Sequence, residues 1–369
     1  GKGRNFPIFE FEIENTQIDT TFIIDGINFT NANKSAVRIG WDVWKTQSAE
    51  ASPKFRHCSF YNNSVDGNEN GGGAIYIAEG APIIENCSFE NNSSVNSGGA
   101  IRFVREAGND NGDTIFKLIV RNSTFKNNSS LSTGGAIGVS GRTSSVTITQ
   151  SIFEGNSAIN QPNKSGGEGG AVYIQNGDGN LYGSGEGQNF IHHSYFKYNY
   201  AHSAEQNTYG GAIYIRGWSS VQNNIIASNY TYNGNKQSSQ SQGGGLYIDS
   251  PVYYRNDGNP IYPLNLVLNN TIVYNRQFQP WAGETGDECH YAAGLMVGNG
   301  ESELVVMNNI IYFNGDLDDV SNSFPCDLGM MGNNSARFFV NNTIGGFYKQ
   351  NQWHEVPITD GSNMELAPV

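Results

Sequence analysis

The stretch Gly72–Asn92, GGAIYIAEGAPIIENCSFENN, decides the fold. It opens on Gly-Gly-Ala followed by Ile75, Tyr76 and Ile77, an alternation whose period of two means strand. It closes on Cys87, then Phe89, then Asn92, a small polar residue, a large apolar one and an amide at fixed spacing. Both halves recur along the chain, and internal repetition outranks every other signal.

The first half returns as GGAIRF at Gly98–Phe103, GGAIGV at Gly134–Val139, GGAVYI at Gly169–Ile174 and GGAIYI at Gly210–Ile215. Degenerate copies are KSAVRI at Lys34–Ile39, GGGLYI at Gly243–Ile248 and AAGLMV at Ala292–Val297. The second half, Phe or Ile with Asn three residues later, returns at Phe60/Asn63, Phe125/Asn128, Phe153/Asn156, Phe196/Asn199, Ile226/Asn229, Ile272/Asn275 and Ile311/Asn314. The two halves alternate, and successive Phe/Ile positions lie 28 to 46 residues apart. Such unequal spacing suits a coil with fixed strands and variable corner loops. Two residues before each Phe/Ile runs a further column: Cys58, Cys87, Ser123, Ser151, Ser194, Asn224, Asn270, Asn309, Asn342. A small polar residue at the same corner of every turn is what an internal ladder requires, each rung about 4.8 Å from the next.

Composition agrees. The chain has 369 residues, with 46 Gly and 48 Asn, yet only 15% charged residues. Gly keeps no period of three, which excludes collagen. The 19 Tyr, 20 Phe and 5 Trp are enough for a large core, which argues against disorder. A net charge of -13 with 21 Lys+Arg leaves no basic footprint for nucleic acid. No apolar run approaches membrane-spanning length. The opening GKGRNFPIFEFEIE already alternates like a strand and does not resemble a signal peptide.

These motifs describe an all-β, right-handed parallel β-helix of about nine coils. The expected boundaries are an entry strand or cap at 1–21, the helix at 22–345 and an irregular exit at 346–369. The paired GGA and FxxN motifs resemble the polymorphic outer membrane protein repeat of chlamydial autotransporter passengers and other secreted bacterial β-helix proteins. The resemblance covers about residues 22–345. It implies an extracellular or bacterial cell-surface location and adhesion, with any anchor or secretion domain outside this chain. It supplies no catalytic residues.

Function is therefore sought in what the repeat leaves free. With Ile75 and Ile77 inward, Tyr76 points outward, and so do Arg102, Tyr173, Tyr214 and Tyr247 on other rungs. Arg216 and Asp249 follow two residues after their tyrosines. The expectation is an exposed aromatic strip with polar neighbours, able to receive a glycan or a host or cell-surface protein. The competing reading is that Tyr simply favours strands. Trp281 lies in the longest loop, 275–291. Asp110 and Asp113, in NDNGD, resemble the start of a calcium loop but lack the distal Glu, and turn chemistry explains them equally well. Calcium is the ion that such a loop would hold. No clustered acid pair marks the outward strand face, so a polysaccharide lyase or glycoside hydrolase is the minority reading, and a structural spacer of a surface fibre is the third. The adjacent His192 and His193 are expected to point to opposite faces. Cys58 and Cys87 are expected as stacked free thiols, and Cys289 and Cys326, in loops of neighbouring coils, as a disulfide.

Overall fold

A computed structural model describes residues 7–11, 19–40, 51–66, 71–78, 80–104, 115–141, 144–161, 166–176, 188–234, 240–249, 253–254, 259–278, 292–298, 303–316, 326–331, 336–345, 347–349, 352–354 and 364–365. Their strands form a right-handed parallel β-helix with three long sheets, 12-, 11- and 10-stranded, and a shorter 8-stranded one. The GGA segments enter the first sheet in unbroken register, Ile75 to Ile101 to Ile137 to Val172 to Ile213 to Leu246 to Leu295 to Leu328. The Phe/Ile segments build the second sheet, and the strands preceding them build the third. Short strands after each Asn, such as Ser93–Ser94 and Ser129–Ser130, make the fourth side. At one end Phe9–Phe11 pairs with Val37–Ile39. At the other, residues of the expected exit segment contribute Phe347–Lys349, paired antiparallel with Gln352–His354. That antiparallel pairing covers strand-edge groups of Phe347–Lys349 that would otherwise invite another chain.

Inward side chains stack rung on rung. Phe29, Phe60, Phe89, Phe125, Phe153 and Phe196 form a continuous pile, with centroids 4.6–4.7 Å apart and planes within 6°. Ile226, Ile272, Ile311 and Ile344 continue the buried column.

Two polar ladders flank the pile. In the first, the backbone N–H of Ser123 donates to Ser151 Oγ, Ser151 to Ser194 Oγ, and Ser194 to Asn224 Oδ1, continuing through Asn270 and Asn309 to Asn342. In the second, each Asn Nδ2 donates 2.9 Å to the next Asn Oδ1, from Asn63 through Asn92, Asn128, Asn156, Asn199, Asn229 and Asn275 to Asn314. The other Nδ2 hydrogen goes to the Phe/Ile carbonyl of the coil below, as from Asn156 to Phe125. Each amide is therefore saturated, so its burial costs little. The ladder begins above Ala32, whose N–H donates to Asn63 Oδ1. It ends on Asp327, whose Oδ1 accepts from Asn314 at 2.7 Å. A carboxylate accepts but does not pass a donor onward, so it suits the terminal rung.

Tight corners demand left-handed backbone. His57, Asn86, Asn122, Gln150, His193, Asn223, Asn269, Asn308 and Asn341, just before the polar column, all sit at φ 49–56°. Asn tolerates this region better than most residues. The Asn excess thus has two sources, corners and ladders. At His193 the corner rotates the side chain, so His192 and His193 do not diverge as expected: their Nδ1 atoms lie 3.0 Å apart.

Candidate functional site

The outward residues of the first sheet were expected to be exposed, and this needs correction. Tyr76, Tyr173, Tyr214 and Tyr247 do face away from the core, but all are buried, with 4–8% of their surface accessible. The segments preceding the GGA motifs fold over the sheet as a second layer. Its own short ladder runs from Thr133 to Glu168 to Tyr209, then through Thr208–Tyr209 paired with Ser241–Gln242. The approach is close: a Cβ on Gly138 would lie 2.1 Å from Ser97 Oγ. Tyr173, Tyr214 and Tyr247 stack on one another at 5.1 and 5.5 Å, and Tyr209 covers Tyr247 at 4.6 Å. Both faces of Tyr214 are thus taken by its neighbours, and Tyr247 lies between Tyr214 and Tyr209.

Where the second layer stops short of the strand ends, a cleft of about 580 Å³ remains. It is lined by Ser97, Arg102, Glu168, Tyr173, Tyr214 and Arg216, with Gln175 and further hydroxyl and amide side chains around them. Four of the sequence candidates, Arg102, Tyr173, Tyr214 and Arg216, thus meet at one site. Arg102 Nη1 donates to Ser97 Oγ at 3.0 Å and Nη2 to Ser140 Oγ at 2.7 Å, which spreads the guanidinium along the cleft. Thr133 Oγ1 donates to Ser97 Oγ at 2.9 Å. Tyr173 donates its hydroxyl to Gln175. Arg216 and Asp249, paired in register on neighbouring rungs, lie 3.5 Å apart, Nε to Oδ2. Tyr76 stands apart from these, buried with Ala78 and Val104 farther along the column.

Glu168 is the residue that sequence reasoning missed. It precedes a GGA motif and passes for part of a corner. In the structure it is half-buried on the cleft wall. Burial, with a lesser contribution from Asp249 and against the pull of Arg216, pushes its carboxyl up to about 7. Burial likewise holds the Tyr214 and Tyr247 phenols protonated. A carboxyl near neutrality, with guanidinium groups in the same cleft, marks a candidate site.

Exposed aromatic residues occur instead at corners of the second sheet. Tyr198, Tyr274 and Phe313 are 57%, 51% and 49% accessible, each at a left-handed corner two residues after its Phe/Ile. Tyr274 and Phe313 stack at 5.4 Å. The signal was present in the repeat, but tyrosine and phenylalanine are unusual at positive φ and hide the corner.

Of the remaining candidates, Trp281, Asp110, Asp113 and Cys289 lie outside the described residues. Cys326 is buried and disulfide-bonded, while Cys58 and Cys87 are free and buried, as stacked thiols should be. Among the described residues, no group of three or more His, Cys, Asp or Glu is placed to hold a metal ion. No helix among them is long and apolar enough to cross a membrane.

Residues 57–78, 86–103, 122–140 and 150–175 each match the Chlamydia polymorphic membrane protein repeat. Neither the curated proteins nor the solved structures yield a match. The matched segments are the GGA and Phe/Asn rungs described above, with the corners between them. The chain is a right-handed parallel β-helix repeat protein, similar over these coils to the Chlamydia polymorphic membrane protein repeat.

Proposed function

We propose that this chain is an exported bacterial surface protein whose β-helix serves as a non-enzymatic adhesin, binding glycan in the cleft over the first sheet. The repeat match supports a bacterial surface location. The observation that carries the glycan reading is the cleft itself: hydroxyls, amides, two guanidinium groups and a carboxyl converge on about 580 Å³, a volume suited to a small ligand. A purified protein applied to an array of immobilised glycans is expected to retain a defined subset. Arg216→Ala should weaken that retention at least tenfold while far-UV circular dichroism stays unchanged. Retention of a host or cell-surface protein with no glycan retained would overturn the reading.

One observation favours a second reading, a polysaccharide lyase or glycoside hydrolase. The Glu168 carboxyl, held near neutrality, suits a general acid. A hydrolase also needs a partner carboxylate about 5–9.5 Å away, and the Asp249 carboxylate is engaged by Arg216. New reducing ends or unsaturated sugars in the array incubation would decide for the enzyme.

A further inference from the structure

Among the charged side chains of the cleft, Glu168 stands out. Arg102 is held by Ser97 and Ser140, and Arg216 lies against Asp249. The Glu168 carboxyl receives no hydrogen bond from any described residue, although it is half-buried on the wall of the cavity. A partly desolvated carboxylate without protein donors depends on what enters the cleft for its hydrogen bonds, and a ligand that supplies donors takes that place. The same ligand must offer acceptors to Arg102, Arg216 and the Ser97 hydroxyl, which line the same cavity. Vicinal hydroxyls of a sugar ring do both, because each hydroxyl donates once and still accepts. Two adjacent O–H groups match the two oxygens of a carboxylate, and such charge-assisted bonds are strong. A sugar carboxylate placed against Glu168 would add to the repulsion that Asp249 already exerts there. An ammonium group would satisfy Glu168 but would face two guanidinium groups.

We infer that the cleft takes a neutral saccharide through vicinal hydroxyls that donate to the ionised Glu168 carboxylate. This rests on the glycan-binding reading and specifies its ligand. A pH dependence follows. The charged groups acting on Glu168 are Asp249 and Arg216, and Arg102, Tyr173 and Tyr214 line the same cleft. Burial and Asp249 hold the free carboxyl near 7, so about half of it is protonated at neutrality. Donors from the ligand stabilise the ionised form and lower that value. Affinity therefore rises with pH through about 7 and is lost as pH falls below it, by about tenfold between pH 8 and pH 6 for one linked proton.

The test is calorimetric titration of the whole chain with lactose, maltose, cellobiose and α-mannobiose, against digalacturonate, at pH 6, 7 and 8. At least one neutral disaccharide is expected to bind more tightly than digalacturonate, with affinity rising about tenfold from pH 6 to pH 8. Glu168→Gln should bind at least tenfold more weakly at pH 8 and show a flat pH profile. The inference is overturned if digalacturonate binds as tightly as the neutral sugars, if the wild-type profile is flat, or if Glu168→Gln keeps the slope. In those cases glycan binding itself stands. If no saccharide binds at any pH, both readings fall.

Discussion

Asn156→Asp is expected to destabilise the protein by about 3–5 kcal/mol at pH 7.5, although the two side chains are nearly the same size. Asn156 Oδ1 accepts from the N–H and the Nδ2 of Asn128, at 3.0 and 2.9 Å, and Asp keeps that function. The Asn156 Nδ2 hydrogens go to Asn199 Oδ1 and the Phe125 carbonyl, at 2.9 and 3.0 Å, and Asp removes both. A buried carboxylate then faces two oxygen acceptors with no donor between them. The penalty belongs to the ionised form, so the folded-state pKa rises above the unfolded one. The variant should therefore be least stable at pH 7.5 and recover part of the loss toward pH 4.5, as the carboxyl protonates in the folded state while the unfolded one, with its ordinary pKa of about 3.9, stays mostly ionised. Urea midpoints at the two pH values, each referred to wild type, measure this. Asp327→Asn is the comparison at the last rung, because Asn keeps the acceptor that Asn314 uses, and it is expected to cost less than Asn156→Asp. A mid-ladder Asp that costs under about 1 kcal/mol would contradict the directional ladder.

The second large effect is expected in the aromatic pile. Phe125 is fully buried and stacked at 4.6 Å on Phe89 and 4.7 Å on Phe153. Phe125→Ala leaves a hole whose floor and ceiling are rings held by their own rungs, so collapse is restricted. A loss of about 3–5 kcal/mol is the expected cost. Phe125→Leu should cost much less, because the same column runs on in Ile226 and Ile272. In a repeat protein the coils need not unfold together, so midpoint and slope of the urea transition should both be followed. Equal effects of Ala and Leu would show that the ring stack, rather than filled volume, carries the stability.

Much of the fold was legible because a parallel coil writes each column into the chain at every turn. The alternation in Ile75–Ile77, the polar column from Cys58 to Asn342 and the Asn three residues after each Phe or Ile all took the places expected of them. The candidate site was legible in part. Period two told correctly that Tyr173, Tyr214 and Tyr247 leave the core. It carried no information on what would lie above them, because the covering layer comes from the segments before each GGA motif and pairs only with itself. Glu168 was hidden for the same reason. Its significance comes from enclosure by neighbouring coils, and no spacing in the chain encodes that.

Ligand is expected to enter the cleft over the first sheet. Hydrogen–deuterium exchange with and without the tightest of the four neutral disaccharides tests it most directly. Protection is expected in the covering layer and the strand ends it borders, residues 96–102, 132–134, 166–175 and 214–216, where the cleft residues lie. Protection confined instead to the second-sheet corners at Tyr198, Tyr274 and Phe313, with the covering layer unchanged, would contradict it.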